Sequence, residues 1–394
     1  MYKVGKEEIE ALNKVVESRK YFRYQGPQQD TQTSLCEKEW QKYLNIPYAL
    51  LNTSGTNSLV IGLASFGIGP GDEIIIPSYT FVATASAVMQ VGAIPIIANI
   101  DETLTIDLED VRNKVTSRTK GIIAVHIDGL ICDLSGLLNI CHEKNILLFE
   151  DAAQACGGLY QGKFVGTYGS FGAFSFNMDK VITCGEGGLL VIGDESQEDI
   201  YLRALSTHDT PCQFGQTHKN QLNEIPRFFG LSTRLNEINS SMLRVQMTRL
   251  PDILKSLRDT KSQVIDYARS LGLNIHLGHD QEGDIGSNLH ISCSDPMSAI
   301  EKSKKFLDRG IKASPPYLRP AHACWQWFKG MTKDHYYVDG LNPFKLTDQS
   351  YEYKKQDYLP TIKLLGEVIR IELNFIDNPE GVESLKEALK EIAP

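Results

Sequence analysis

The chain has 394 residues, 42% of them hydrophobic, 9% aromatic and 23% charged, and carries a net charge of −9. That share of apolar side chains can offset chain entropy, which excludes disordered, collagen-like and coiled-coil chains, and the length suits one large domain with a smaller companion. Forty basic residues against 49 acidic ones, with no local Lys/Arg cluster, give nucleic-acid binding by counterion release no support.

The opening MYKVGKEEIEALNKVV reads as a charged helix with no apolar core of a signal peptide. No run reaches the roughly 18 apolar residues that span a bilayer. Tyr48–Asn52 reads as a strand, and Ser54–Gly55–Thr56 turns it into a helix ending near Phe66. The turn Gly69–Pro70–Gly71–Asp72 precedes EIIIP (73–77), a continuous apolar strand of the kind buried on both faces. A helix in TFVATASAVMQVGA (80–93), a strand in IPIIANI (94–100) and a helix over Leu108–Lys114 follow. GIIAVH (121–126) is a strand, Leu134–Lys144 a helix, ILLFED (146–151) a strand, and GLLVI (188–192) closes the series. This alternation predicts βαβ units and a mostly parallel sheet covered by helices, with ligands at the carboxyl ends of the strands. From Asn236 to Ser270 the apolar residues Ile238, Met242, Val245, Leu250 and Ile253 recur at helical spacing. An aromatic stretch, YLRPAHACWQWF (317–328), and a polar loop at 334–358 come after it, with Trp325 and Trp327 expected in a small-domain core. The expected division is a large domain over 1–250 and a smaller one over 251–394, on which the N-terminal helix is free to pack. Eight scattered cysteines form no CxxC pair and no Cys/His spacing suited to zinc, so they read as reduced thiols of a cytoplasmic protein with no metal site.

Three features fall at predicted strand ends. Ser54–Gly55–Thr56 opens a helix, where glycine admits close backbone approach and free amides face an anion; an ordinary N-cap explains the same residues. Glu150 and Asp151 end an apolar strand with Gln154 three residues beyond the aspartate. A carboxylate there calls for a cationic partner such as a protonated ring nitrogen, or else serves as a cap. Lys180 lies 29 residues after Asp151, between an aromatic-rich strand and the glycines of CGEGG. Alone it would be a solvated surface lysine; in an apolar setting it is a candidate nucleophilic amine. Taken together they match what pyridoxal 5′-phosphate (PLP) requires: a phosphate cradle, a carboxylate for the pyridine nitrogen and a lysine. Phe81, after a buried strand, offers a flat side chain against the ring. No GxGxxG opens a helix, so a dinucleotide-binding dehydrogenase is unsupported.

These segments resemble the DegT/DnrJ/EryC1/StrS family of PLP-dependent sugar aminotransferases. The resemblance is carried by RYQGP (23–27), NTSGTNSL (52–59), GPGDEIIIPSYTFVATASAV (69–88), EDAAQACGG (150–158), FSFNMDKVITCGEGG (174–188), FGLSTRLNEINSSM (229–242) and YLRPAH (317–322). It implies the type I fold of PLP-dependent transferases, an α/β large domain with a mostly parallel central sheet flanked by helices, plus a smaller C-terminal α+β domain. Lys180 would be the Schiff-base lysine and proton carrier, Asp151 the partner of the pyridine nitrogen, and Gln154 that of the ring hydroxyl. Ser54, Gly55, Thr56 and Ser175 would hold the phosphate, and Phe81 would stack on the ring. Ser232 stands in GLSTR where the family carries an asparagine that reaches the neighbouring subunit's phosphate, and serine is shorter. Gly185–Gly188 match a loop near the second active site, implying a homodimer with shared sites. His126, His208, Arg234, Tyr317 and His322 match positions on the substrate side, and Arg234 and Arg319 would attract an anionic substrate against the net charge.

The implied reaction moves an amino group from an amino acid, glutamate in most of the family, to a keto-sugar, with pyridoxamine phosphate (PMP) as intermediate. A nucleotide-linked keto-deoxy sugar is the expected acceptor; a free keto-octulosonate or an aminocyclitol precursor is the alternative. A non-catalytic PLP-binding regulator is disfavoured by the intact Lys180, Asp151 and Gln154. A PMP-dependent dehydratase is disfavoured by the lysine at 180, where that branch has histidine. The loops at 208–230 and 314–345 would shape the acceptor.

Overall fold

The computed structural model describes residues 3–25, 30–209, 229–373 and 378–394. Helices α1 (Lys6–Ser18) and α2 (Gln32–Leu44) lead into alternating strands and helices: β1 (Tyr48–Asn52), α3 (Gly55–Ser65), β2 (Glu73–Pro77), α4 (Ala83–Gln90), β3 (Ile94–Ala98), α5 (Leu108–Lys114), β4 (Thr119–Val125), α6 (Leu134–Lys144) and β5 (Leu147–Asp151). A small hairpin of β6 (Leu159–Tyr160) and β7 (Lys163–Phe164) precedes β8 (Phe171–Ser175), β9 (Gly188–Ile192) and α7 (Glu198–His208). The seven-stranded sheet has the order β1-β9-β8-β5-β4-β2-β3. Strand β9 alone runs against its neighbours β1 and β8; the other pairings are parallel. All five residues of β2 are buried, as expected for a strand covered on both faces. Apolar clusters lie on the two sides of the sheet, one around Trp40, Leu137 and Phe174, the other around Leu59, Ile76, Val88 and Phe149. Phe149 and Phe171, paired across β5 and β8, stack with centroids 4.6 Å apart.

Helix α8 (Glu237–Ser270) runs for 34 residues, longer than any other helix described. Helix α1 lies on its first half, before the expected boundary at 250: Gln246 Nε2 donates to the Lys3 carbonyl and to Glu8, and Arg249 pairs with Glu7 and Glu8. Beyond α8 come β10 (Ile275–His276), β11 (Asn288–Ser292), α9 (Pro296–Leu307), β12 (Ala313–Ser314), α10 (Leu359–Gly366), β13 (Val368–Glu372) and α11 (Pro379–Ile392). Their strands form an antiparallel sheet, β10-β11-β13-β12, over a third core that includes Phe306, Ile369 and Leu389.

Residues 315–358 depart from expectation. They form short 3-10 turns that run back along the large sheet. Ala323 bridges Tyr79, Tyr336 Oη donates to the Met89 carbonyl (2.9 Å), and Tyr353 Oη donates to that of Pro95 (2.7 Å). Trp325 and Trp327 pack against the cluster containing Leu59 and Val88, not the small-sheet core where they were expected. Among the described residues no helix is long and apolar enough to cross a membrane, no His/Cys/Asp/Glu group could hold a metal ion, and the cysteines are unpaired. Cys212 lies outside the described residues, as does most of the 208–230 loop.

Candidate active site

The parallel strands end on one edge of the sheet, and the turns leaving them build a cleft of about 510 Å³. Ser54, Gly55, Thr56, Phe81, Asp151, Gln154, Ser175, Lys180 and His322 all line it, although they come from five separate strand ends and loops. Ser54 caps α3 by accepting from the Asn57 amide (3.1 Å), which leaves the first amides of the helix, Gly55 and Thr56, without helical partners. Free amides and the positive end of the helix dipole there suit a phosphate. The cradle is tight. A Cβ on Gly188 would sit 2.2 Å from the Ser54 carbonyl oxygen, and one on Gly55 would sit 2.8 Å from the Cβ of Ser175.

Asp151 ends β5 and is buried, accepting from Thr84 Oγ1 (2.8 Å) and the Ala153 amide (3.2 Å). Burial raises its carboxyl pKa above the ordinary range, against the pull of those hydrogen bonds and of Lys180. Burial likewise lowers the Lys180 amine, with Asp151 opposing, and among the described residues the amine makes no salt bridge. A carboxylate and an amine, each held away from its favoured charged form, face one cleft and would both gain from a ligand that balances them. Gln154 accepts from the Asp128 amide through Oε1 (2.9 Å), so its carboxamide nitrogen remains to donate into the cleft. Phe81 is 43% exposed, a large aromatic surface left open beside His322, whose ring centroid lies 5.3 Å away. A phosphate cradle, a buried carboxylate, a desolvated amine and an open aromatic face are the donor set PLP requires, and the residues fit it.

Below this layer Glu150 is fully buried and accepts from the amides of Gly166 (2.6 Å), Tyr168 (2.7 Å) and Gly169 (2.7 Å) and from His126 Nε2 at 3.2 Å. Burial works against charge on His126, but Cys132 and Glu150 outweigh it and hold the ring's pKa up at about 10. The His126 amide donates to the Asp151 carbonyl (3.1 Å), so this pair underpins the end of β5.

Beside the cleft stands a cluster that strand-end reasoning missed except for Arg319. Asp128 is buried with φ +53, a left-handed conformation uncommon outside glycine. Its Oδ1 accepts from Arg319 Nη1 (3.0 Å) and Arg370 Nε (2.8 Å), and its Oδ2 from Tyr79 Oη (2.5 Å). Its carbonyl accepts from Ser287 and Asn288 of the small-sheet region. Burial would raise this carboxyl, but Arg319, Arg370 and His290 outweigh it and hold the pKa well below the ordinary range. An unpaired-looking aspartate after a buried strand was the available signal; its partners were not visible.

Four of the five residues expected on the substrate side lie elsewhere. His126 sits beneath the cleft, paired with Glu150. His208 is buried at the end of α7, its pKa pushed well below the ordinary value by burial and by Arg23 and Arg234. Arg234 pairs with Asp209 and stands over the Phe22 ring at 5.2 Å. Tyr317 packs on Trp325 with ring centroids 5.4 Å apart. None of them lines the cleft; burial and pairing claim their side chains. Only His322 does. Ser232 is exposed with φ +59 and also lies outside its own chain's cleft. Of RYQGP, Arg23 pairs with Glu37, and residues 26 and 27 lie outside the described residues.

Comparison with known proteins gives a consistent result. The model of the DegT/DnrJ/EryC1/StrS aminotransferase family matches residues 3–338. GDP-perosamine synthase of Vibrio cholerae is 31% identical over 291 residues, 73% of this chain and 76% of that protein. The 3-amino-5-hydroxybenzoate synthase of Amycolatopsis mediterranei is 32% identical over 323 residues, 81% of this chain and 80% of that protein. Among solved structures, a 3-amino-5-hydroxybenzoic acid synthase superposes with a TM-score of 0.79 at 24% identity, covering 100% of this chain and 97% of its own.

Proposed function

The chain belongs to the DegT/DnrJ/EryC1/StrS aminotransferase family of PLP-dependent enzymes, and from that premise we propose that it moves an amino group from an amino acid, glutamate, to the keto group of a sugar. The observation that carries the reading is the shared cleft, in which the desolvated Lys180 amine, the buried Asp151 carboxylate and the amides of Gly55 and Thr56 face one space. PLP, when bound, supplies the electron sink that lets an amino group leave one carbon and join another. The rest falls to side chains. Lys180 carries the proton between the two carbons, a task suited to an amine whose pKa burial has lowered. Asp151, oriented by Thr84 and the Ala153 amide, holds positive charge on the ring nitrogen. Gln154, fixed by the Asp128 amide, donates to the ring hydroxyl. Phe81 covers one ring face and excludes water from it. Ser54, Gly55, Thr56 and Ser175 take the phosphate.

The acceptor is a nucleotide-linked keto-deoxy sugar, a reading supported by the likeness to a GDP-perosamine synthase. The equal likeness to a 3-amino-5-hydroxybenzoate synthase supports an acceptor without a nucleotide as the second reading. Ser232, exposed outside its own cleft, supports a homodimer in which the GLSTR segment serves the partner's site. A fully active monomer in sedimentation would refute that arrangement.

The test uses the purified protein with PLP. It should be yellow, glutamate should bleach the visible band, and a panel of keto-sugars should restore it. Lys180→Ala should lose turnover; persistent amino transfer in that variant would overturn the assignment.

A further inference from the structure

In the small sheet Asn288 pairs directly with Glu372, and His290 with Arg370, so these four side chains share one face. Asn288 and Glu372 of that face line the cleft that holds Lys180. The residues that fit PLP all precede this sheet in the chain, between Ser54 and Lys180, which leaves this face to the substrate.

Asn288 is 3% exposed, and its carboxamide is only half satisfied. Nδ2 donates to the Asp128 carbonyl (2.9 Å) and to Ser287 Oγ (2.8 Å). A carbonyl can only accept, so it fixes which end of the carboxamide is the nitrogen. Oδ1 is the other end, buried and, among the described residues, without a hydrogen-bond partner. A buried acceptor without a donor is costly, and most such groups in folded proteins are paired. Glu372, half-buried, supplies a second acceptor beside it. Its Oε1 accepts from Arg370 Nη1 (3.0 Å), while Oε2 has Lys312 at 3.7 Å, beyond hydrogen-bond distance. Directly opposed residues of an antiparallel pair hold their Cβ atoms about 4.5–5.5 Å apart, so both acceptors can meet one small molecule.

Charge decides what they accept from. Glu372 already lies between Arg370 and Lys312, and Asn288 is neutral, so the pair does not call for a cation. The phosphate and ring of PLP are matched by other residues, and glutamate offers carboxylates, which accept, and an amine, which reacts. A neutral O–H donor remains, and a sugar or cyclitol ring carries several.

We propose that Asn288, with Glu372 beside it, is a specificity-determining contact, its Oδ1 accepting from a ring hydroxyl of the amino acceptor. That hydroxyl sits on a carbon other than the one that receives the amino group, and acceptors deoxygenated there are disfavoured. This rests on the aminotransferase reading above and sharpens its acceptor.

The protein loaded with PMP is titrated calorimetrically with scyllo-inositol, a neutral ring with a hydroxyl on every carbon, and with cyclohexanol, which has one. The first should bind at least about tenfold more tightly. Asn288→Leu should weaken scyllo-inositol about tenfold, the loss of a hydrogen bond to a buried acceptor, and leave cyclohexanol unchanged. Asn288→Asp keeps an oxygen acceptor but gives up the donation to the Asp128 carbonyl, so it separates hydrogen-bond acceptance from support of the fold. It should hold scyllo-inositol more tightly than Asn288→Leu does. Glu372→Met changes a half-exposed side chain and tests the same subsite where Asn288→Leu does not fold; it should weaken scyllo-inositol about threefold. Melting temperatures establish which variants are folded. Equal binding of the two probes by the unsubstituted protein overturns the proposal. So does folded Asn288→Leu or Glu372→Met protein that binds scyllo-inositol as the unsubstituted protein does, or folded Asn288→Asp that loses as much as Asn288→Leu. Failure of glutamate to bleach the PLP form sinks the aminotransferase reading instead, and leaves these titrations standing.

Discussion

Replacing Gly188 by alanine tests whether the turn before α3 is a phosphate cradle. The new Cβ would lie 2.2 Å from the Ser54 carbonyl oxygen, 2.3 Å from its carbonyl carbon and 2.7 Å from the Gly55 nitrogen. All three are backbone atoms, so no side chain can rotate away, and β9 or the Ser54–Gly55 peptide must move by roughly an ångström to reach ordinary contact. Strand β9 is pinned on both sides, since Gly188 pairs with Asn52 in β1 and with Ser175 in β8. The peptide carrying the Gly55 amide is therefore the part that gives. Overpacking of this kind costs about 1–3 kcal/mol of stability. Displacing an amide that donates to a phosphate loses about 1.5 kcal/mol or more of binding, roughly tenfold in the PLP dissociation constant. The assay is titration of the apoprotein with PLP, followed by the visible band, beside a calorimetric melt. Gly330→Ala is the control, because nothing lies within 4 Å of a Cβ there. It should change neither quantity. PLP affinity within twofold of the unsubstituted protein, together with a lowered melting temperature, would refute the cradle and leave Gly188 a packing residue.

The buried pair beneath the site makes two more expectations. The His126 ring titrates at about 10 in the fold against 6.5 when unfolded, so its contribution is complete below pH 6.5 and is lost as pH rises through 10. Unfolding free energy should fall across that window by up to about 1.4 kcal/mol per pH unit, and His126→Gln should flatten the fall in denaturant titrations. A slope identical in the variant would remove His126 as its cause. Glu150→Ala orphans the amides of Gly166, Tyr168 and Gly169 and leaves a buried imidazole without its carboxylate, which should cost about 3–5 kcal/mol in a calorimetric melt. A loss near 1 kcal/mol, the size of an ordinary hydrogen bond, would mean that water replaces the carboxylate there.

Much of the cofactor side of the cleft is legible in the sequence because each piece is local. Ser54–Gly55–Thr56, Asp151 and Lys180 follow strands whose apolar runs announce them, and a parallel sheet gathers such strand ends on one edge. Residue type and position along a strand are one-dimensional properties. Burial depth and pairing are not. His126 and His208 read as pocket histidines but lie under the sheet edge and at the foot of α7, since nothing local to a histidine records how many layers cover it. Helices α2 and α7 went unmarked because their apolar residues serve faces defined by distant partners, as Trp40 of α2 does in stacking on Phe174 and Phe176 on one side of the sheet. The substrate side was decided by tertiary structure alone. Asp128 meets Arg319 across 191 positions of chain because residues 315–323 fold back onto the strand end at Tyr79, and it meets Arg370 across 242 because the small sheet that carries β13 docks on its carbonyl through Ser287 and Asn288. Composition, the alternation of strands and helices, and the lysine with its carboxylate were thus determined by the sequence itself. The cluster that fixes Arg319 and Arg370 beside the cleft exists only once three distant segments share the buried carboxylate of Asp128.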